Sequence, residues 1–204
     1  FKIGEPANIH WDENIRLVAQ GLRKREPSDE TEFDIEGTID KTIKKGGLTE
    51  LAFVHKSRPS EYLILIDRES LENHQSSLFS FLVDEFSNND IYVEKFFYMN
   101  DFSAFWSETD DSTIYTLDDL YRLFPKHRLI IFGKAHELID RRKRGLRSTA
   151  LQLERWQKRA ILTSKPGPDW NFQEVLLSES FTVLPSTTAG LLQLTDHYEE
   201  LKPN

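Results

Sequence analysis

Glu61-Tyr62-Leu63-Ile64-Leu65-Ile66-Asp67-Arg68-Glu69-Ser70 is the stretch that decides how the chain folds. Tyr62 to Ile66 is an unbroken apolar run, rich in Ile and Leu. It is too short for a lone helix. It suits a strand covered on both faces, which the middle of a parallel sheet requires. Asp67 follows at once, and a helical pattern opens three or four residues later. A carboxylate at the carboxyl end of a central strand stands where open α/β sheets place their ligands.

The surrounding composition sets bounds. At 204 residues the chain is one large domain or two small ones. Hydrophobic residues make up 38% and charged residues 29%, enough for a sizeable core under a solvated surface. Fourteen phenylalanines imply that much of this core is aromatic. The net charge of −8 argues against broad binding of nucleic acid or an anionic membrane, since both need a basic face. Cysteine is absent, which excludes disulfides, thiolate metal sites and a Cys nucleophile and fits a cytoplasmic protein. No apolar run has the length of a membrane span, and no signal peptide is visible. The first residue is Phe1 rather than Met, so a longer parent chain is expected.

Outward from the central strand, the pattern is strand, helix, strand, helix to the end. Leu71 to Asn88 has apolar residues at three- and four-residue steps and reads as an amphipathic helix. Ile91–Tyr98, Arg128–Gly133, Ala160–Thr163 and Phe181–Leu184 read as strands. Asn100 to Asp111 reads as a loop, and Thr113–Tyr115 as a brief strand. Thr116 or Ser112 opens a helix ended by Pro125. His136 to about Arg144, Ser148–Gln157, Trp170–Ser178 and Ser186–Leu201 read as helices. This alternation predicts a three-layer, Rossmann-like α/β fold: a mostly parallel sheet with helices on both faces.

Residues 1–60 read as a lead-in packed on the main domain of residues 61–204. Within it, Ile15–Leu22 is helical, and Ser28–Glu32 is acidic and turn-like. Asp34 caps a helix with Ile35, Ile39, Thr42 and Ile43 on one face, ended by Gly46-Gly47. Leu51–Val54 reads as a short edge strand.

The order from Tyr62 onward resembles a von Willebrand factor A-type domain. The likeness lies in the strand ending at Asp67, the long helix and strand after it, the segment in which Thr116 opens a helix, and Leu129-Ile130-Ile131-Phe132-Gly133 as the fourth strand. Leu22-Arg23-Lys24-Arg25, Phe33 to Ile39 and Gly46-Gly47-Leu48 resemble the segment before such domains in bacterial multidomain proteins of regulatory and defence type. The resemblance implies a divalent cation held by an Asp-x-Ser-x-Ser motif, a later Thr and a further Asp. Asp67 matches the first position. The two Ser positions fall on Glu69 and Leu71, Thr116 stands for the Thr, and the later Asp falls on Gly133. Lys134 brings a positive charge to the same neighbourhood. Mg²⁺ wants near-octahedral oxygen ligation, and too few ligands remain, so a degenerate metal site and no cofactor are expected.

Asp67, Glu69, Thr116 and Lys134 are therefore the candidate constellation. They form a ligand site at the sheet edge, or Asp67 merely caps the next helix or pairs with Lys134, since a buried acid needs a partner. Phe105 and Trp106, with Phe102, lie among acids and either anchor a partner or fold onto the core. Arg141-Arg142-Lys143-Arg144 and Arg147 contact phosphates or an acidic protein, or form a solvated helix face; the plainer reading is favoured. The six histidines lack metal-ligand spacing, and no nucleotide-binding loop or nucleophile elbow is present. The expected role is a non-enzymatic module that binds a protein partner or a neighbouring domain of the same chain, without nucleic acid or membrane. The alternative is a metal-assisted hydrolase with Asp67 and Glu69 as ligands to Mg²⁺ or Mn²⁺.

Overall fold

The computed structural model describes residues 8–68, 83–99, 101–110, 112–165 and 167–200. In chain order these form α1 (Asn8–Leu22), β1 (Glu26–Asp34), α2 (Ile35–Lys44), β2 (Ala52–Arg58) and β3 (Glu61–Asp67). Next come the helical residues 83–88, here α3, then β4 (Tyr92–Met99), β5 (Asp101–Ser107), α4 (Leu117–Leu123) and β6 (Arg128–Phe132). The remainder is β7 (Ile139–Asp140), β8 (Gly145–Leu146), α5 (Ser148–Leu153), β9 (Arg159–Thr163), α6 (Phe172–Leu177), β10 (Thr182–Pro185) and α7 (Thr188–Glu200).

The apolar run at Tyr62–Ile66 does lie mid-sheet. Six strands pair in the order β10-β9-β6-β3-β4-β5, all parallel except β5. Side chains alternate across a strand, so β3 feeds two cores. Leu63 and Leu65 join Leu117, Leu120, Ala150, Leu153 and Leu177. Tyr62, Ile64 and Ile66 join Ile15, Val18, Val83, Phe86, Leu191 and Leu194. Helix α1 thus belongs to the same compact unit as the sheet, which comprises residues 1–23 and 61–204. That differs from the expected division at residue 60. Leu71, Leu78, Phe79 and Leu82 of the expected long helix lie outside the described residues.

At the amino end of the sheet, Arg128 is buried with its guanidinium 4.9 Å from the Tyr198 ring centroid and 5.6 Å from that of Tyr62. Arg128 Nη1 donates to Tyr62 Oη at 2.9 Å, and that hydroxyl donates to Leu22 O at 2.9 Å. One phenol thereby joins β3, β6 and the last turn of α1.

Three readings are corrected. Asp101–Ser107 is not a loop but the antiparallel edge strand, with Phe97 opposite Trp106; Thr113–Tyr115 contributes only a single bridge, Phe105 to Tyr115. Residues 136–144 are not a helix. They form a 3₁₀ turn at His136–Leu138 and then the β7–β8 hairpin. Its turn is held by Asp140 Oδ1, which accepts from Arg142 N at 3.0 Å and Lys143 N at 3.1 Å. Ser28–Glu32 is not a turn but part of β1, which pairs antiparallel with β2 across an irregularity between Pro27 and Thr31.

Residues 24–60 form a second compact unit. Asp34 caps α2 as expected, its carboxylate accepting from Gly37 N at 2.9 Å. Gly46 (φ 66°) and Gly47 (φ 95°) end the helix, donating to Ile43 O and Thr42 O. This reciprocal pair is the usual left-handed helix terminus, for which glycine is suited. Helix α2 meets β2 through small and polar residues. Thr38 Oγ1 accepts from Ala52 N at 2.8 Å, and a Cβ added at Gly37 would lie 3.1 Å from Ala52 Cβ.

Tyr62→Phe keeps the ring and removes the bridging hydroxyl from Arg128 and Leu22. It is expected to destabilise the α/β unit by about 1–3 kcal/mol, seen as a lower urea midpoint at unchanged slope.

Candidate functional site

Strand β3 ends at Asp67, which is buried and stands opposite Tyr98 of β4. On the other side β6 ends at Phe132, opposite Ile66, so Gly133 falls beside Asp67. The sheet order reverses here: β4 and β5 extend one way from β3, and β6, β9 and β10 the other. Crevices at such reversals, outside the carboxyl ends of strands, are the usual ligand positions of open α/β sheets.

Gly133 has φ +152°, a backbone state that side chains strain to adopt. A Cβ built there would lie 2.8 Å from Asp67 Cβ, 3.0 Å from Tyr98 Oη and 3.4 Å from Asp67 Oδ2. The first neighbour is a strand carbon that cannot swing away. Both the backbone and the space therefore call for glycine.

Tyr98 is a residue the sequence reading passed over. Its ring stacks on Phe102 at 4.3 Å between centroids and lies 6.2 Å from Phe105. Its hydroxyl is fully buried and has no hydrogen-bond partner among the described residues. Burial first, then the negative charges of Asp67 and Glu137, push this phenol well above its ordinary pKa. The hydroxyl therefore keeps its proton and remains a donor. Glu137 belongs to the 3₁₀ turn after β6, with Oε1 3.3 Å from His136 Nε2. The signal for Tyr98 was its place at the end of the strand that pairs in parallel with β3. Its alignment with Asp67 depends on register, which the sequence alone does not set.

The other expected residues have separate settings. Glu69 lies outside the described residues. Thr116 is the N-cap of α4: its hydroxyl donates to Asp119 Oδ2 at 2.7 Å and accepts from Asp119 N at 3.2 Å. The bonds from Thr116, side chain first, hold the Asp119 carboxyl below its usual range. Lys134 is exposed and makes no ion pair among the described residues, so it is not the partner of Asp67. Phe105 is fully buried and Phe102 nearly so, which places both in the core rather than on a contact surface. Trp106 is half-buried, with the Arg68 guanidinium 5.7 Å from its ring centroid. The structure thus brings Asp67 to Tyr98 and Gly133, and gives Thr116 and Phe105 structural duties.

A cation of the kind the resemblance implies needs an oxygen set close to octahedral. Asp67 supplies a carboxylate. Position 133 offers neither a side chain nor room for one, and the Thr116 hydroxyl is engaged with Asp119. Glu69 and Leu71 are outside the described residues. The described donors alone do not make that set.

No protein-family model, curated protein or solved structure matches the chain. Among the described residues, no helix is long and apolar enough to cross a membrane.

Gly133→Ala combines backbone strain with a clash against Asp67 Cβ. It is expected to lower stability by about 2–4 kcal/mol, read from denaturant unfolding; a change under about 0.5 kcal/mol, the usual range for neutral surface positions, would show that the strand end yields to a side chain.

Proposed function

We propose that the chain is a non-enzymatic protein-interaction module on a three-layer, Rossmann-like fold of the von Willebrand factor A-like kind, with its metal-ion-dependent site lost. The layer assignment is supported by the two cores fed by opposite faces of β3. It is also supported by the strand order, which reverses at β3 and β6 as in doubly wound sheets. An antiparallel edge strand such as β5 is common in that class. Loss of the ion is supported by the crowding at Gly133 and by the capping role of Thr116. A bacterial, cytoplasmic setting within a larger protein belongs to the same proposal. It rests on the resemblance and on the cysteine-free sequence.

The observation that carries the interaction reading lies in residues 24–60. Helix α2 turns Gly37 and Thr38 to its own hairpin and leaves its isoleucines outside. Ile35, Ile39 and Ile43 are 64%, 53% and 69% exposed, and no residue of α2 is buried. Phe33 and Phe53, paired across the ladder at 6.1 Å, are exposed as well. Helical spacing of isoleucines earns nothing in water. Covering the three would contribute about 3–5 kcal/mol, given about 1.5–3 kcal/mol per fully buried side chain. Contiguous exposed apolar surface of this sort marks interaction sites, and an amphipathic helix face is a common recognition element. The occupant is a protein partner or a neighbouring domain of the same parent chain. The proposed contact surface therefore moves from the loops near Asp67 to α2.

Ile39→Ser combined with Ile43→Ser changes exposed side chains only, so the circular dichroism and thermal midpoint of the chain should be nearly unchanged. Capture of the partner by the full-length parent, compared between wild type and this variant, is expected to fall at least about tenfold, the equivalent of 1.4 kcal/mol. Equal capture by both would remove the α2 face from the proposal.

A further inference from the structure

The β7–β8 hairpin and the residues leading into α5 wall an open cleft of about 1060 Å³. Its lining includes Arg141, Arg142, Lys143, Arg147, Ser148 and Thr149. Two acids share the wall, and both are engaged. The Asp140 carboxylate accepts the backbone amides of Arg142 and Lys143, which, with the Lys143 amide foremost, hold it below its usual range. Glu137 lies against His136, which also lines the cleft. Arg147 ties the root of the hairpin, donating from N to Leu138 O at 2.8 Å and from Nε to Ile139 O at 3.2 Å.

The cations at the tip are in a different position. Arg141, Arg142 and Lys143 are exposed and make no ion pair among the described residues, although the charges of Lys143 and Arg147 also act on Asp140 without touching it. The chain has 34 acids against 26 Lys and Arg, so counter-charges are abundant. Elsewhere the protein uses them. Arg155 meets Asp118 at 2.6 Å, Arg122 meets Asp119 at 2.7 Å, Lys165 meets Glu174 at 2.7 Å, and Lys95 is flanked by Asp84 and Glu108. Like charges gathered on one wall repel one another. A ligand carrying the opposite charge would relieve that repulsion.

We infer that this cleft binds a compact ligand bearing two or more phosphate groups. Guanidinium forks match phosphate oxygens with paired, charge-assisted bonds, and the Ser148 and Thr149 hydroxyls are further donors. Three unpaired cations with Arg147 beside them exceed what one phosphate needs. The cleft volume is just above the range of small-molecule sites, about 300–1,000 Å³. A long polyanion is disfavoured because the basic wall is an island on a chain of net charge −8. Free pyrophosphate and a nucleoside polyphosphate share this chemistry, and the site does not depend on the α2 face.

Calorimetric titration of the chain with inorganic phosphate, pyrophosphate and ATP in about 0.15 M salt tests the inference. Pyrophosphate and ATP are expected to bind at least about tenfold more tightly than phosphate, a difference of 1.4 kcal/mol. Tighter binding of ATP than of pyrophosphate assigns a nucleotide, and equal binding assigns the phosphates alone. Arg142→Gln with Lys143→Gln leaves the amides on Asp140 in place and should weaken both ligands at least about tenfold. Arg122→Gln on α4 should not. The inference is overturned if neither pyrophosphate nor ATP binds at millimolar concentration. It is overturned equally if the double variant binds as wild type does, or if a labelled oligonucleotide binds more tightly than ATP and gains affinity with length.

Discussion

Burial of β3 on both faces and along both edges is the constraint from which the α/β unit follows. Leu63, Ile64, Leu65 and Ile66 have no exposed surface, so every backbone group between them must find a partner inside the protein. Parallel pairing to β4 and β6 supplies those partners. Parallel neighbours cannot be joined by tight turns; they need crossovers long enough to carry helices. Those helices then cover the faces that the strand exposes. The enclosure reaches the strand's carboxyl end, where Asp67 is buried; Glu61 at the amino end is only half-buried.

Buried phenols finish both ends of the sheet. At the amino end, Arg128 lies among Tyr62 and Tyr198, and a chain of hydrogen bonds runs through the Tyr62 hydroxyl to Leu22. At the carboxyl end, the Tyr98 hydroxyl is equally buried but lacks such a bond among the described residues, with two carboxylates nearby. An unpartnered buried hydroxyl costs about 1–3 kcal/mol, and the Tyr198 hydroxyl at the amino end is likewise buried without a hydrogen bond among the described residues.

Elements with an unbroken apolar run or a clear cap were legible in the sequence, and elements without either were not. The apolar runs of β3, β6 and β9 each reported a strand because two covered faces allow no polar residue between them. Asp34, Gly46-Gly47 and Thr116 reported helix ends because caps demand particular residue types. Strand β1 was hidden for the opposite reason: Ser28 to Glu32 faces water on both sides, so no alternation is imposed. Strand β5 was hidden because Phe102 and Phe105, three apart across an irregular ladder, break the two-residue period. The two-residue strands of the hairpin are too short to show any period, and the Arg run between them masks the Asp140 turn. At the site, Asp67 could be found from its strand alone. Tyr98 could not, because its place depends on register between strands. The isoleucine stripe of α2 was visible, but a stripe does not say whether anything covers it.

Residues 24–60 leave and rejoin the chain at neighbouring points. Ser60 Oγ donates to Lys24 O at 2.7 Å, and the first rung of the small ladder, Glu26 opposite Arg58, is closed by an ion pair at 2.8 Å. The segment contributes no strand to the six-stranded sheet. It behaves as a cassette spliced between a helix and the strand it precedes. Its strands pair only with each other, so a change of length or sequence inside it leaves the ladder of the six-stranded sheet untouched.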